Sequence, residues 1–572
     1  MKNHFPSSRP AFTVLRVLGL ILAVSTFPSQ IVLAQQAQAV QDAQLPPLPP
    51  LPTLPLSPTE KAEKDGTALR LSLKDVTKLA LQNNLDIAIS DTNEAYYQQV
   101  IVQAHGPYDP SVTLGLGVQS SKSPNTNLAT KSSLGSFSKT DTANWNFLFQ
   151  QNVKTGGYFT ASYNSSRYAS TQSFFLFSPQ YNATTTLSFT QPLRRNFRID
   201  QIRGTIKLAN LDVKTNDSQF RQKVVDTIAN IQGQYWDLVG AIRNYEIKRD
   251  AVRFAQITLR DNRRKLEIGS LASIQVTEAQ AAEAQRELDL ISAEEMVYNA
   301  ENTLLSLVSN DRNAEIWHKV VIPTEAPEFV QYKVDLDTAI DTALKNRPEL
   351  EQLDIALHRY EINQRMSEDM RKWQVDLRSS FGTAGVAGPQ SYITDPITGQ
   401  QVILIDPNLV GGIGNAYKLL FTGGYTNWGV SFNVVIPLRN RTVDAQLAQI
   451  KIGKRQQLMR RKSTEQQIQT EIRNAVQKIE TNRKQVDTAK VSLGFYKEQL
   501  IGEEKRFEAG LSQNFLVIQR QNELSAAQNT ELQALISYKK SIIALQKAMS
   551  TLLESSDFEI AKTSSDNVPS LK

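Results

Sequence analysis

VVDTIANIQGQYWDLVGAI, residues 224–242, decides the reading of this chain. Val224, Ile228, Ile231, Tyr235, Leu238 and Ile242 recur at steps of three and four, which puts them on one stripe of an α-helix, close to a heptad. The stretch around them opens with Gln191-Pro192-Leu193 and meets no further proline until Pro323. It runs to Lys265-Leu266-Glu267-Ile268-Gly269, and helical pattern resumes at Ser273 and lasts to about Leu307. So a long helix reaches one glycine turn and a second helix comes back. About 70 residues before the turn make a helix of roughly 105 Å. That length suits a coiled coil or the wall of a tube, not an ordinary globular helix.

The layout occurs twice. Pro437-Leu438 opens a second stretch with no proline until Pro569, and its stripe reads Ile468, Ile472, Val476, Ile479, Val486, Leu493. Arg506-Phe507-Glu508-Ala509-Gly510 matches the first glycine turn. Ser273, Ile274, Val276 and Gln280 then match Asn514, Phe515, Val517 and Gln521. A repeat this long fixes the architecture before any local assignment.

Composition narrows the class. The chain has 572 residues, no cysteine, four histidines and a formal net charge of +6. Lys2, Arg9 and Arg16 supply three of those charges from the leader, so the excess elsewhere is too weak to argue for nucleic acid. Zero cysteine removes disulfides, thiolate metal sites and a lipid-modified N-terminal cysteine. Past residue 34 no run approaches the ~20 apolar residues of a membrane helix. Residues 1–34 read as a secretory signal: basic residues precede Val17–Val24, and Val32-Leu33-Ala34 supplies a cleavage site. Residues 35–70, with prolines alternating with leucines from Pro46 to Pro58, read as a stiff linker.

A helix is expected over about Ser72–His105, with a counterpart from Leu336 to about Trp373; Asn83-Asn84-Leu85-Asp86 aligns with Asn346-Arg347-Pro348-Glu349. After Gly106-Pro107-Tyr108-Asp109-Pro110 the period changes to two. Val112, Leu114, Leu116 and Val118 alternate with small or polar residues, Trp145, Phe147 and Phe149 alternate with Asn146 and Leu148, and Leu187 and Phe189 alternate with Thr186, Ser188 and Thr190. Segments of about ten residues with one apolar and one small or polar face are the signature of an outer-membrane β-barrel, and of a soluble sandwich too. Position between long helices of an exported chain favours the barrel. Lys154-Thr155-Gly156-Gly157 reads as a tight turn, while Ser121–Thr142 and Arg167–Gln180 read as loops. In the second repeat Gln374–Gly382 and Tyr425–Ile436 read as strands.

At this point the layout resembles the TolC-like outer membrane factor (outer membrane efflux protein) family. The carriers are the doubled Leu-x-Leu helix starts, Gln191-Pro192-Leu193 and Ile436-Pro437-Leu438 leaving the strands, and the two glycine turns. The resemblance implies an α+β membrane protein: a homotrimeric outer-membrane β-barrel continued by a long periplasmic α-helical barrel, built from two internal repeats. The division is then signal peptide 1–34, linker 35–70, first repeat 71–310, connecting equatorial segment 311–333, second repeat 334–554 and polar tail 555–572. The implied function is a passive duct of a tripartite efflux or type I secretion system. Its partners would be outer-membrane lipid, a periplasmic adaptor (membrane fusion protein) and an inner-membrane pump or ABC exporter, with no nucleic acid and no cofactor. Gln191, Pro192 and Pro437 would stand where strand becomes helix, since proline is tolerated in a first helical turn. Gly269 and Gly510 would turn the tip, with Ser273 and Asn514 as N-caps. Leu271, Ala272, Leu511, Ser512 and Gln513 would face the periplasm and touch the adaptor. The family's repeat has two strands and the first repeat here has four; four membrane strands per protomer is the expectation.

No catalytic chemistry emerges. His105, His318 and His358 lack ligand spacing, and no nucleophile elbow, phosphate loop or dinucleotide fingerprint is present, so an enzyme is not expected. Glu503, Glu504 and Glu508 could line a cation-selective entrance. A non-conducting envelope spacer anchored by a barrel remains the alternative.

Overall fold

The computed structural model describes residues 50–125, 136–171, 177–390, 392–394, 398–403 and 405–555. The signal peptide, the first part of the linker, parts of the three strand-connecting loops and the tail beyond 555 lie outside the described residues. From Thr53 on, they form one unit.

The end of the expected linker is ordered. Pro58–Asp65 is a helix (α1), because Ser57 and Glu60 form a capping box and Pro58 occupies the first turn. Ala68–Leu71 (β1) then pairs in parallel with Val320–Pro323 of the connecting segment. The helix expected over Ser72–His105 is two, Leu73–Asn83 (α2) and Leu85–His105 (α3). Asn84 between them is extended, and its side chain accepts from the amides of Asp86 and Ile87, so it restarts the helix as a cap.

Four strands follow: Ser111–Pro124 (β2), Phe137–Asn152 (β3), Tyr158–Ser170 (β4) and Gln180–Pro192 (β5). β2, β3 and β4 reach further into the expected loops than the alternation suggested. Then come the long helix Gln201–Glu267 (α4), the return helix Ser273–Val308 (α5) and Val320–Pro323 (β6). The second repeat supplies Leu336–Asn346 (α6) and Pro348–Met370 (α7), split at Arg347 because a residue before proline is driven out of the helical region. Gln374–Ala387 (β7), the short pair Tyr392–Thr394 (β8) and Gln401–Ile403 (β9), an unexpected helix Ile413–Thr422 (α8) and Tyr425–Val435 (β10) come next. Arg441–Glu508 (α9), Asn514–Ala548 (α10) and the single turn Leu552–Ser555 (α11) close the order.

Six strands form one antiparallel sheet in the order β10-β7-β5-β4-β3-β2. The sheet thus holds two strands more than the four membrane strands expected: the β2–β3 hairpin pairs along its full length and continues the sheet through β4. Following the register, Val112 stands beside Phe149, Ala161, Leu187, Phe381 and Trp428 in one row across all six strands. Side chains of directly opposed residues share a face. One face of the sheet therefore carries Val112, Leu114, Leu116, Val118, Phe147, Leu187, Phe381, Trp428 and Phe432, most of them well exposed. The other carries Thr113, Gly115, Asn146, Ser162, Thr186, Ser380 and Ser431. α8 lies on the apolar face, burying Ala416 and Leu420, and Tyr417 accepts a hydrogen bond from the Trp145 indole at 2.8 Å. It fits there because Gly385 has no side chain: a Cβ would meet the Ala416 carbonyl at 1.9 Å.

The helices make a wall in the order α5-α4-α10-α9. At 67 and 68 residues, α4 and α9 are each about 100 Å long. The predicted stripes are the cores: Ile228, Ile231, Tyr235 and Leu238 pack with Val76 and Leu304, and Ile468, Ile472, Ile479 and Val486 pack with Tyr538 and Leu545. A fully buried tyrosine does the same work in each repeat. Tyr235 hydroxyl donates to Leu71 carbonyl and accepts from Glu325 amide; Tyr538 hydroxyl donates to Val330 carbonyl and accepts from Tyr332 amide. Each pins an irregular segment against the wall.

Candidate functional site

The two helix turns lie side by side at the far end of the wall. Ile268, Gly269 and Ser270 end α4 with Gly269 at φ 71°; the Gly269 amide donates to Leu266 carbonyl and the Ser270 amide to Lys265 carbonyl. Gly510 repeats this at φ 74°, with its amide bonded to Phe507 carbonyl and the Leu511 amide to Arg506 carbonyl. Glycine takes this left-handed conformation without the Cβ penalty, so both turns need it.

Ser273 and Asn514 are not the N-caps. Each is the first helical residue, the cap positions are Ala272 and Gln513, and neither makes a side-chain cap bond. Asn514 is instead fully buried and donates to the Gln275 carbonyl of the other turn at 3.4 Å. Lys265 stands 3.9 Å over the Phe507 ring, and Gln521 donates to Thr258 at 3.2 Å. These three contacts lock the turns together. The aligned sequence held all the residues, but a contact between two turns is invisible to alignment of one with the other.

Exposure sorts the remaining expected residues. Leu511 is 81% exposed, and Ala272, Ser273 and Gln513 also face solvent. Leu271 does not project freely; it packs on Leu259, Val276 and Ala279. Ser512 turns back to donate to the Glu503 carboxylate, and Glu503 is buried, so Glu503 does not line an open entrance. Glu504 is part-buried; burial first, and the neighbouring Glu508 charge second, push its carboxyl above the ordinary value. Glu508 is exposed.

The strand-to-helix junctions are longer than proline placement implied. Pro192 is the last residue of β5 and α4 begins only at Gln201; Pro437 lies between β10 and Asn440, the cap of α9. Neither proline sits in a first helical turn. Gln191 holds the turn between β3 and β4: Thr155 hydroxyl donates to its side-chain oxygen at 2.7 Å, and its amide group donates to Thr155 carbonyl at 3.1 Å. The residues sequence reasoning missed are Asn196, Arg203 and Asp369. Asn196 has φ 65°, its amide donates to buried Asp369 at 2.6 Å, and Arg203 donates to the carbonyls of Asn196 and Phe197. Lys372 pairs with the same Asp369 at 2.6 Å. The knot ties α4 to the end of α7 beneath the sheet. Asparagine tolerates the left-handed region, which was the one available signal.

Among the described residues no helix is long and apolar enough to cross a membrane, and no acidic or histidine group is arranged to hold a metal. The apolar face of the sheet exposes Leu114, Leu116, Val118, Trp428 and Phe432 side by side. A family model described as "Outer membrane efflux protein" matches residues 158–310 and 339–551. No curated protein matches by direct sequence comparison. Solved structures share the fold at low identity. The Campylobacter jejuni CmeC outer membrane channel is 17% identical, with 84% of this chain and 86% of that one covered at TM-score 0.58. The outer membrane protein VceC of Vibrio cholerae is 15% identical, with 84% and 96% covered at TM-score 0.56. The open-state MtrE outer membrane channel of Neisseria gonorrhoeae is 15% identical, with 84% and 89% covered at TM-score 0.52.

Proposed function

The chain belongs to the outer membrane efflux protein family, as an outer-membrane channel with its helical part in the periplasm, and we propose that three copies form a passive duct handed its cargo at the tip by a periplasmic adaptor and an inner-membrane pump. The observation that carries this reading is the two-faced sheet. An apolar face toward lipid and a face of serine, threonine, asparagine and glycine toward a lumen are what a water-filled membrane pore requires. The same chain leads from that sheet, through the links at Pro192 and Pro437, into helices about 100 Å long.

A single copy cannot close such a pore. β2 and β10 are sheet edges, and unpaired backbone groups in lipid cost several kcal/mol each. The wall likewise ends at α5, which leaves Leu288, Ile291 and Tyr298 exposed, and at α9, which leaves Val491 and Phe495 exposed. Head-to-tail contacts repeated around an axis join a first-repeat edge to a second-repeat edge in both halves.

At the tip, exposed Leu511 with Ala272, Ser273 and Gln513 forms the adaptor-docking surface, and Glu504 with Glu508 gives the entrance its negative charge. Replacing Leu511 and Gln513, both exposed, with glutamate tests this. Trimers in mild detergent are expected at wild-type amounts while export is lost. Normal export at normal protein level would show that the adaptor docks elsewhere.

A further inference from the structure

We propose that the β2 edge of one copy pairs antiparallel with the β10 edge of the next, in the register Val112 beside Val434, so that the trimer closes an eighteen-stranded barrel. This rests on the trimeric duct proposed above and specifies its pore. The occupant of each edge is a second copy of this chain.

Three independent features meet in that register. The first is direction and level. β2 starts at Ser111, just after α3, and β10 ends at Val435, just before α9, so both leave the helical side and run antiparallel. The second is stagger. The row through Ser111 passes Gln150, Thr160, Ser188 and Ser380 to Gly429. Below this row no residue of β2 remains, two of β3 and of β4 remain, four of β5, and six of β7 and of β10. The strands are thus already staggered by six residues across six strands. If the helical rim of the ring is level, the next copy's Ser111 stands beside Val435. With a rise of ~3.4 Å per residue and a spacing of ~4.8 Å, one residue of stagger per strand gives a tilt of about 35°. That is the tilt closed barrels adopt.

The third feature is the side chains. In this register Val112, Leu114, Leu116 and Val118 oppose Val434, Phe432, Val430 and Trp428, all on the apolar face. A slip by one residue would set these against the polar face. Eighteen strands at this tilt make a ring about 34 Å across, backbone to backbone. Barrels of that strand number keep an aqueous channel. Cargo size is then limited at the helical end and not in the membrane.

The cysteine-free chain allows a clean test. Thr113→Cys with Asn433→Cys places one thiol on each edge, facing the lumen at opposed positions. Oxidation in the outer membrane should convert most of the protein to covalent dimers and trimers, while Thr113→Cys with Gly429→Cys, four residues out of register, should not. If the β2–β3 hairpin stood outside the barrel, β4 would be the edge, and Thr160→Cys with Asn433→Cys would link instead. That result overturns the proposal. A density map of the wild-type protein in lipid nanodiscs counts the strands without any substitution: eighteen is expected, and twelve overturns it. Trimers of twelve strands would leave the duct standing; a monomer by light scattering would remove both.

Discussion

The sheet and the helical wall each end in two open edges, but the edges differ in kind. On β2 and β10 the backbone is unpaired, and in lipid nothing but another strand can satisfy it. On α5 and α9 every backbone bond is internal, and only side chains such as Ile291 and Phe495 wait for a neighbour. Closing the sheet is all or nothing. Closing the wall is a sum of side-chain burials of about 25 cal/mol per Å² that can be partly given up. The barrel is therefore the fixed clamp of the assembly, and the wall is the part able to loosen while the copies stay together.

Substitutions on the two kinds of edge should separate these roles. Leu116→Arg puts a charge on the lipid-facing side of the β2 edge. An arginine there costs about 2–4 kcal/mol per copy near the membrane midplane, three times over in a ring. Outer-membrane trimers, measured by unheated gel electrophoresis, should fall at least tenfold. Phe495→Lys on the α9 edge removes about 1.5–3 kcal/mol of burial per copy without opening any backbone. Trimers should persist and export should drop severalfold. Equal loss of trimers in both variants would end the distinction between clamp and wall.

A smaller effect sharpens the comparison inside the wall. Glu301 on α5 is buried, and its carboxylate accepts from the Val321 amide of β6 at 2.7 Å. Burial raises its pKa above the usual carboxyl value, against the hydrogen bond that lowers it. A carboxyl raised on folding stabilises the wall fully below its ordinary value and loses that contribution as pH rises through the raised one. Glu301→Gln keeps the acceptor without the charge. Protection of the Val321 amide, corrected for intrinsic exchange, should fall with rising pH in the wild type and stay flat in the variant. The gap should reach about tenfold per unit of raised pKa. Parallel pH profiles would show that Glu301 does not tune this contact.

The wall was legible because a helix of this length must repeat its apolar stripe, and Ile228, Ile231 and Tyr235 became core as read. The family and the glycine turns followed from the same repeat. Less legible was whatever depends on contact between repeats. Asn514 looked like a cap because asparagine caps helices well, but tertiary packing carried it across to Gln275. Pro192 looked like a helix start, yet the chain needs Asn196 and Asp369 to turn from strand to helix and spends eight residues there. The β2–β3 hairpin was visible as strands. Its place in the sheet was not, because alternation says which face a residue takes and nothing about which strand lies beside it. α8 escaped notice because Gly411, Gly412 and Gly414 at its start read as loop, and its seat is a single missing side chain at Gly385.

The most direct test of the duct is electrical. The full-length protein, purified as trimers, is added to a planar lipid bilayer and single-channel current is recorded. Discrete, uniform conductance steps are expected, with cation preference that weakens when Glu504 and Glu508 are both replaced by glutamine. Insertion of trimers without any conductance step, from a preparation whose barrel is intact by electron microscopy, would contradict a conducting duct and leave only an envelope spacer.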